Sequence, residues 1–285
     1  MTWLLTWRYC VAYARRPLNV ILLAVVPVIF VSLAAGAIAD FARILGGTAG
    51  RGQLEVVTAG WAAAFMAGVA GFFHVNGARE ADLRLAAAQS SPSHVVGARL
   101  LSSLMLAAVA TGGALLALFV RTDITNAPRV VGATAMFALI YIAIGTIIGV
   151  LVRSEVNGSL LVIFVWMFDV FLGPAMGQSD SLVTRFFPTH FPTLVMLDSG
   201  TTHADPLGDL GAASAWSVGA LVVAFVVLAR LTRPLNGEKP ATADHSQPPR
   251  MGTGLRFAWR DYRRNVALWV LLAGLPVFSS PCRSR

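Results

Sequence analysis

The chain has 285 residues, of which 56% are hydrophobic and 13% charged, with a mean hydropathy of +0.69 and a formal net charge of +8. Soluble domains carry about 25% charged residues, so these proportions exclude an ordinary water-soluble core. The positive charge alone would be compatible with nucleic acid, but its distribution along the chain assigns it to membrane orientation instead.

The apolar residues come in six blocks: Leu18–Ala39, Val56–Val75, Leu100–Val120, Val130–Val152, Val156–Pro174 and Leu210–Ala229, each 19 to 23 residues long. A helix of ~20 apolar residues crosses a hydrocarbon layer of ~30 Å. Backbone polar groups in lipid must be satisfied within the segment, so runs of this length are helices. With the N-terminus placed in the cytoplasm and the spans alternating, five of the 22 basic residues fall in outer segments: Arg43, Arg51, Arg121, Arg129 and Arg185. Arg283 and Arg285 follow the last apolar run, which leaves fifteen on the inner side. That asymmetry is the positive-inside bias. It predicts a multi-pass protein of the plasma or inner membrane, N-terminus inside, that does not bind nucleic acid.

Ahead of the first span, Trp3, Trp7, Cys10/Val11 and Ala14 share one helical face, and Arg8 and Arg15 lie on another. This pattern predicts a helix lying in the interface, after which Arg15-Arg16-Pro17 turns the chain into the membrane. Ala37-Ile38-Ala39 resembles a signal-peptidase site. The ~20 apolar residues before it exceed the 7–15 of a leader core, so the first span is expected to be retained. Cys10 and Cys282 have neither a pairing nor a metal-ligand spacing and read as small hydrophobes.

Two outer connections, Asp40–Glu55 and Arg121–Arg129, are Gly-rich and polar respectively. The third, Gly173–Asp209, holds FFPTHFPTLVM (Phe186–Met196), too apolar for a solvated loop and too broken by Pro to span. A partly re-entrant or interfacial hairpin is expected there. Pro234–Gly254 reads as a cytoplasmic linker.

The inner loop Gly77–Leu101 places Leu83, Ala86 and Ala87 on one helical face and Glu80, Arg84 and Ala88 on another. Ser90-Ser91-Pro92 breaks this helix, and Ser93 is the expected N-cap of the third span. A surface helix joined by a tight corner to a spanning helix is a lever.

This layout resembles the membrane subunit of an ABC exporter of the ABC-2 permease type, with the type V exporter fold. The resemblance covers residues 1–235. It rests on an interfacial elbow helix, six spans, a long outer segment between spans five and six, and the loop pattern Arg79-Glu80, Leu83–Ala88, Ser91-Pro92, Gly97 and Arg99. It implies an all-α membrane protein: an elbow helix plus six transmembrane helices in a permease domain of residues 1–233, then the linker at 234–254. It also implies a separate ABC ATPase on the cytoplasmic face, contacting Arg79, Glu80, Asp82, Arg84, Ser91, Pro92 and His94, and homo- or heterodimerisation with another permease half.

Residues 255–285 depart from the usual family layout. Leu255–Arg264 restates the opening amphipathic helix, and Val266–Phe278 is an incomplete seventh hydrophobic segment, its Pro276 matching Pro27. Its 13 residues reach only ~20 Å. The expectation is of two permeases joined head to tail in longer relatives, this chain being a truncated product.

Catalytic motifs are absent or incomplete. Gly47–Gln53 lacks the Lys and Ser/Thr of a phosphate-binding loop. Asp198-Ser199-Gly200-Thr201 is one copy of a motif whose chemistry needs two carboxylates. The histidines have no metal spacing, and His74 and Asn76 read as solvated span ends. No enzyme activity, metal or cofactor is expected. Asp169, inside the fifth apolar run, is the exception: such a group usually faces a bundle interior or a water path, or else snorkels to the outer headgroups. It joins Phe187, Pro188, Phe191 and Pro192 as the expected transport path and gate. The alternative function is a secondary transporter driven by an ion gradient, for which several intramembrane carboxylates or paired Gly/Pro breaks are expected and only Asp169 is found; an integral membrane enzyme would need a second catalytic group beside it. Arg and Ala/Gly abundance points to a GC-rich bacterial genome. No residue pattern identifies the substrate.

Overall fold

A computed structural model describes residues 2–15, 17–44, 50–79, 81, 92–124, 126–176, 184–197 and 206–231. By its internal contacts the chain divides into residues 1–234 and 235–285. The second unit, with most of the expected linker and all of the expected second repeat, lies outside the described residues.

Among the described residues all regular structure is helical: α1 (Thr2–Ala14), α2 (Pro17–Ile44), α3 (Arg51–Asn76), α4 (Pro92–Arg121), α5 (Ala127–Leu151), α6 (Glu155–Phe171), α7 (His190–Met196) and α8 (Pro206–Leu231). Short 3₁₀ turns at Pro174–Met176 and Thr184–Phe186 precede α7. Five of these helices, α2, α3, α4, α5 and α8, are long and apolar enough to cross a membrane. At 17 residues α6 reaches about 25 Å.

Each of the six long apolar blocks corresponds to a helix, with different ends; most of the expected surface helix at Arg79–Gln89 lies outside the described residues. α2 runs on to Ile44 and α3 starts at Arg51, so both ends of the expected outer loop Asp40–Glu55 are helical. α4 starts at Pro92, putting Ser93 inside the helix rather than at its cap. The fifth apolar run stops being helical at Phe171, three residues before Pro174. Hydropathy marks the hydrocarbon-compatible stretch, while capping and turn geometry decide where a helix begins and stops. At α3, Gly50 N–H donates to Gln53 Oε1 at 3.0 Å; at α6, Ser154 Oγ accepts from Asn157 N–H at 3.3 Å.

α3 forms the axis. It packs most extensively against α5 and also against α4, α2 and α6, and Val57–Ala64 is buried without interruption. Lipid is as apolar as any side chain, so helices in a bilayer associate through close packing rather than through exclusion from water. Small residues supply that closeness. The backbones of Gly68 and Gly145 touch, and a Cβ at Gly71 would lie 2.8 Å from the Ile142 carbonyl oxygen. Trp61, Tyr141, Phe72 and Phe137 fill the spaces beside this seam. Trp166 of α6 donates Nε1–H to the Trp61 carbonyl at 3.0 Å and lies edge-on to Phe30 of α2. α2 and α8, by contrast, are largely uncovered along their lengths.

Candidate functional site

Among the described residues, two polar assemblies interrupt the apolar bundle, one at each end. The first is at the α1 side. His74, in the last turn of α3, forms a 2.7 Å hydrogen bond between Nε2 and Ser102 Oγ of α4, and Arg99 Nη1 lies 3.3 Å from the same nitrogen. His74 is buried, not a solvated span end. The Arg99 guanidinium sits 3.7 Å above the Tyr9 ring, and Tyr9 and Tyr13 meet the His74 ring edge-on at 6.4 and 6.0 Å. One face of α1, Thr2, Thr6, Tyr9 and Tyr13 at i, i+4, i+7 and i+11, is therefore the packed one: Thr2 Oγ1 lies 3.0 Å from His94 Nδ1, and Thr6 is buried. Trp3 and Trp7 are exposed.

The sequence picked out the Trp face of α1 and missed the Tyr/Thr face, since i,i+4 tyrosines carry no signal until a cation is opposite them. A stacked Arg–Tyr pair contributes roughly 0.5–2 kcal/mol.

Of the residues expected to contact an ATPase, Arg79 is half-buried and donates from Nη1 to the Val150 carbonyl at 3.1 Å, near the C-terminus of α5. Burial first, and then the neighbouring Arg153, draw its guanidinium below the usual arginine range. His94 is exposed on the first turn of α4, and Pro92 opens that helix. Glu80, Asp82, Arg84 and Ser91 lie outside the described residues.

The second assembly centres on Asp169. It is 2% exposed, and so does not snorkel to the headgroups. Tyr141 of α5 donates its O–H to Oδ2 at 2.8 Å. Thr189 donates its O–H to the same oxygen at 2.8 Å and its N–H to Oδ1 at 3.3 Å. The carboxylate thus joins α5 and α6 to the turn that opens α7. Around it, Pro192 is buried, Phe187 and Pro188 are half-buried, and Phe191 packs on the central core with its ring 5.1 Å from that of His190.

The expected hairpin is thus a short helix whose residues from His190 to Met196 are all buried except Phe191, held between α5 and α8. Its far end is tied by Arg129, which donates from Nε to the Val195 carbonyl and from Nη2 to the Leu197 carbonyl at 3.3 Å. Sequence reasoning singled out Asp169 but neither Tyr141, Thr189 nor Arg129, because a hydroxyl in an apolar run reads as neutral until its partner is placed. Arg129→Ala is expected to raise hydrogen exchange at the amides of residues 190–197 by about tenfold, the loss of ~1.5 kcal/mol from charge-assisted bonds. Exchange mass spectrometry in detergent checks this.

Residues 54–232, more than half of the chain, match the family model described as "ABC-2 family transporter protein". The match takes in nearly all of α3 and every later described helix through α8. No curated protein matches the sequence. A helical body with five helices long and apolar enough to cross a membrane and a family match of this extent lead to one conclusion: the chain is a multi-pass membrane protein that belongs to the ABC-2 transporter family.

Proposed function

We propose that this chain is the membrane-spanning subunit of an ATP-driven exporter, with hydrolysis performed by a separate ABC ATPase. The observation that carries the proposal is the family match across α3 to α8. In this reading α2 to α6 and α8 are six spans of the cell membrane, α6 being completed by the turn at Pro174–Met176. α1 is the interfacial elbow, and the N-terminus faces the cytoplasm, as the fifteen-to-five distribution of basic residues favours. Two such halves, identical or different, enclose the transport path.

The ATPase docks on the segment containing Arg79, Glu80, Asp82, Arg84, Ser91, Pro92 and His94. The position of Arg79 supports this reading: it bridges the end of α3 to the end of α5, so a force applied there reaches the most tightly packed helix pair in the protein. Arg79 and Arg153, two like charges close together, also favour an acidic surface opposite them. On the far side, Asp169 with Phe187, Pro188, Phe191 and Pro192 forms the gate.

The test is co-expression with a candidate ATPase, co-purification, and ATPase activity in vesicles. The chain is expected to hold the ATPase and to stimulate it, and Arg79→Glu to reduce that stimulation about tenfold, within the range of ordinary coupling energies, without changing membrane insertion. Transport by the purified chain alone in liposomes, driven by a proton or sodium gradient, would overturn the proposal.

A further inference from the structure

The α1 side of the bundle holds a cavity of about 580 Å³ between α1, α2, α3 and α4, with Glu155 of α6 also in its lining. Ligand sites are commonly ~300–1,000 Å³. Leu22, Met66 and Phe73 form an apolar wall, and Leu22 and Phe73 are 44% and 40% exposed, so this wall continues onto the lipid-facing surface. Among the described lining residues the formal charges are one guanidinium, Arg99, and one carboxylate, Glu155, which cancel.

Arg99, Tyr9 and His74 are engaged with other groups of the protein. The uncharged polar side chains that remain along the cavity are the Asn19 carboxamide, near the start of α2, and the Tyr13 hydroxyl of α1. Both residues are half-buried, and among the described residues neither group has a hydrogen-bond partner. The Tyr13 ring is held edge-on to His74 at 6.0 Å, which gives its hydroxyl a defined place. A polar group beside hydrocarbon costs free energy until something bonds it. A carboxamide can both donate and accept, and a phenol can donate.

We propose that this cavity binds an uncharged acylglycerol from the leaflet on the α1 side. Its ester carbonyl accepts from the Tyr13 hydroxyl, its free glycerol hydroxyl pairs with the Asn19 carboxamide, and its chains run out along Leu22 and Phe73. Two observations select this class. A lining whose charges cancel offers an ionic headgroup no net attraction to offset the cost of leaving water. A hydrocarbon without a polar head would leave Asn19 and Tyr13 unbonded. Neither the orientation of the chain nor an ATPase enters this inference, so its failure and the failure of the exporter reading are separate results.

The test is photolabelling of the purified full chain in phosphatidylcholine vesicles. The probe is a diacylglycerol with a diazirine in one acyl chain, and peptide mass spectrometry locates the label. Label is expected on the parts of α1, α2 and α3 beside the cavity. Dioctanoylglycerol is expected to compete with the probe, and dioctanoyl phosphatidylglycerol, with the same chains and an acidic head, to compete much less well. Asn19→Leu and Tyr13→Phe are each expected to cut labelling about fivefold, the order of one neutral hydrogen bond. Neither group has a partner among the described residues, so both variants are expected to keep the wild-type melting temperature. A lowered melting temperature would show these groups bonded within the chain and would overturn the proposal. Equal competition by the two lipids, full labelling of both variants, or label spread evenly over the lipid-facing helices would do the same.

Discussion

Gly145→Val is expected to leave almost no folded protein in the membrane. A Cβ at position 145 would fall on the carbonyl oxygen of Gly68, 2.8 Å from its carbonyl carbon and 3.1 Å from its Cα. These are backbone atoms of a buried helix, so no rotamer change relieves the overlap. The helices would have to separate, yet the same seam is closed above and below. A Cβ at Gly71 would meet the Ile142 carbonyl oxygen at 2.8 Å, and one at Gly149 the Phe72 carbonyl oxygen at 2.8 Å. Overpacking against side chains costs about 1–3 kcal/mol; against backbone in three successive turns we expect at least ~3 kcal/mol, a large part of the stability of a small protein. The control is Gly132→Val on the same helix, where nothing lies within 4 Å of an added Cβ. Monodisperse yield and melting temperature in detergent decide the matter. If the two variants behave alike, the α3–α5 crossing is not as described.

Asp169→Ala is expected to destabilise the protein by about 3 kcal/mol, because it strands both Thr189 donors in a dry interior where each orphaned group costs about 1–3 kcal/mol, and leaves the Tyr141 hydroxyl only the Val165 carbonyl at 3.4 Å. Asp169→Asn keeps one oxygen for the Tyr141 and Thr189 hydroxyls but sets its –NH2 against the Thr189 N–H, so an intermediate cost of about 2 kcal/mol is expected. The ordering wild type, Asn, Ala in melting temperature is the readout for the latch. A flat series would mean that Thr189 and Tyr141 do not depend on this carboxylate. Under the proposed exporter function, transport separates latch from gate: Asp169→Asn is expected to slow transport in vesicles beyond its effect on stability, and unaltered transport would retire a gating role.

The long helices could be read from sequence because the bilayer sets their length, and each of the six blocks between Leu18 and Ala229 corresponds to a helix. Their ends could not, since capping and turn geometry decide where a helix stops, as Phe171 and Pro92 illustrate. Of the two polar assemblies, sequence supplied one member each: Asp169 as a carboxylate in hydrocarbon, and Arg99 as the cation opening the third span. Tyr141, Thr189, His74 and Tyr9 acquire meaning only from distances of 2.7 to 3.7 Å across helices far apart in the chain. The glycine seam carried a G-x-x-x-G trace in Gly145 to Gly149, but its partner, Gly68, stands on a helix whose lipid-compatible composition gave no hint of which face would be enclosed.

The enclosure of α3 bears on how the protein is made. It is the least apolar of the five long helices and the most completely surrounded, yet α4, α5 and α6, which cover much of it, are all synthesised after it. During translation α3 must therefore wait for them with its glycine and alanine surface against lipid or against the insertion machinery. The α3 seam closes only when α5 swings in, and any delay between these two segments exposes the nascent chain to wrong partners in the bilayer.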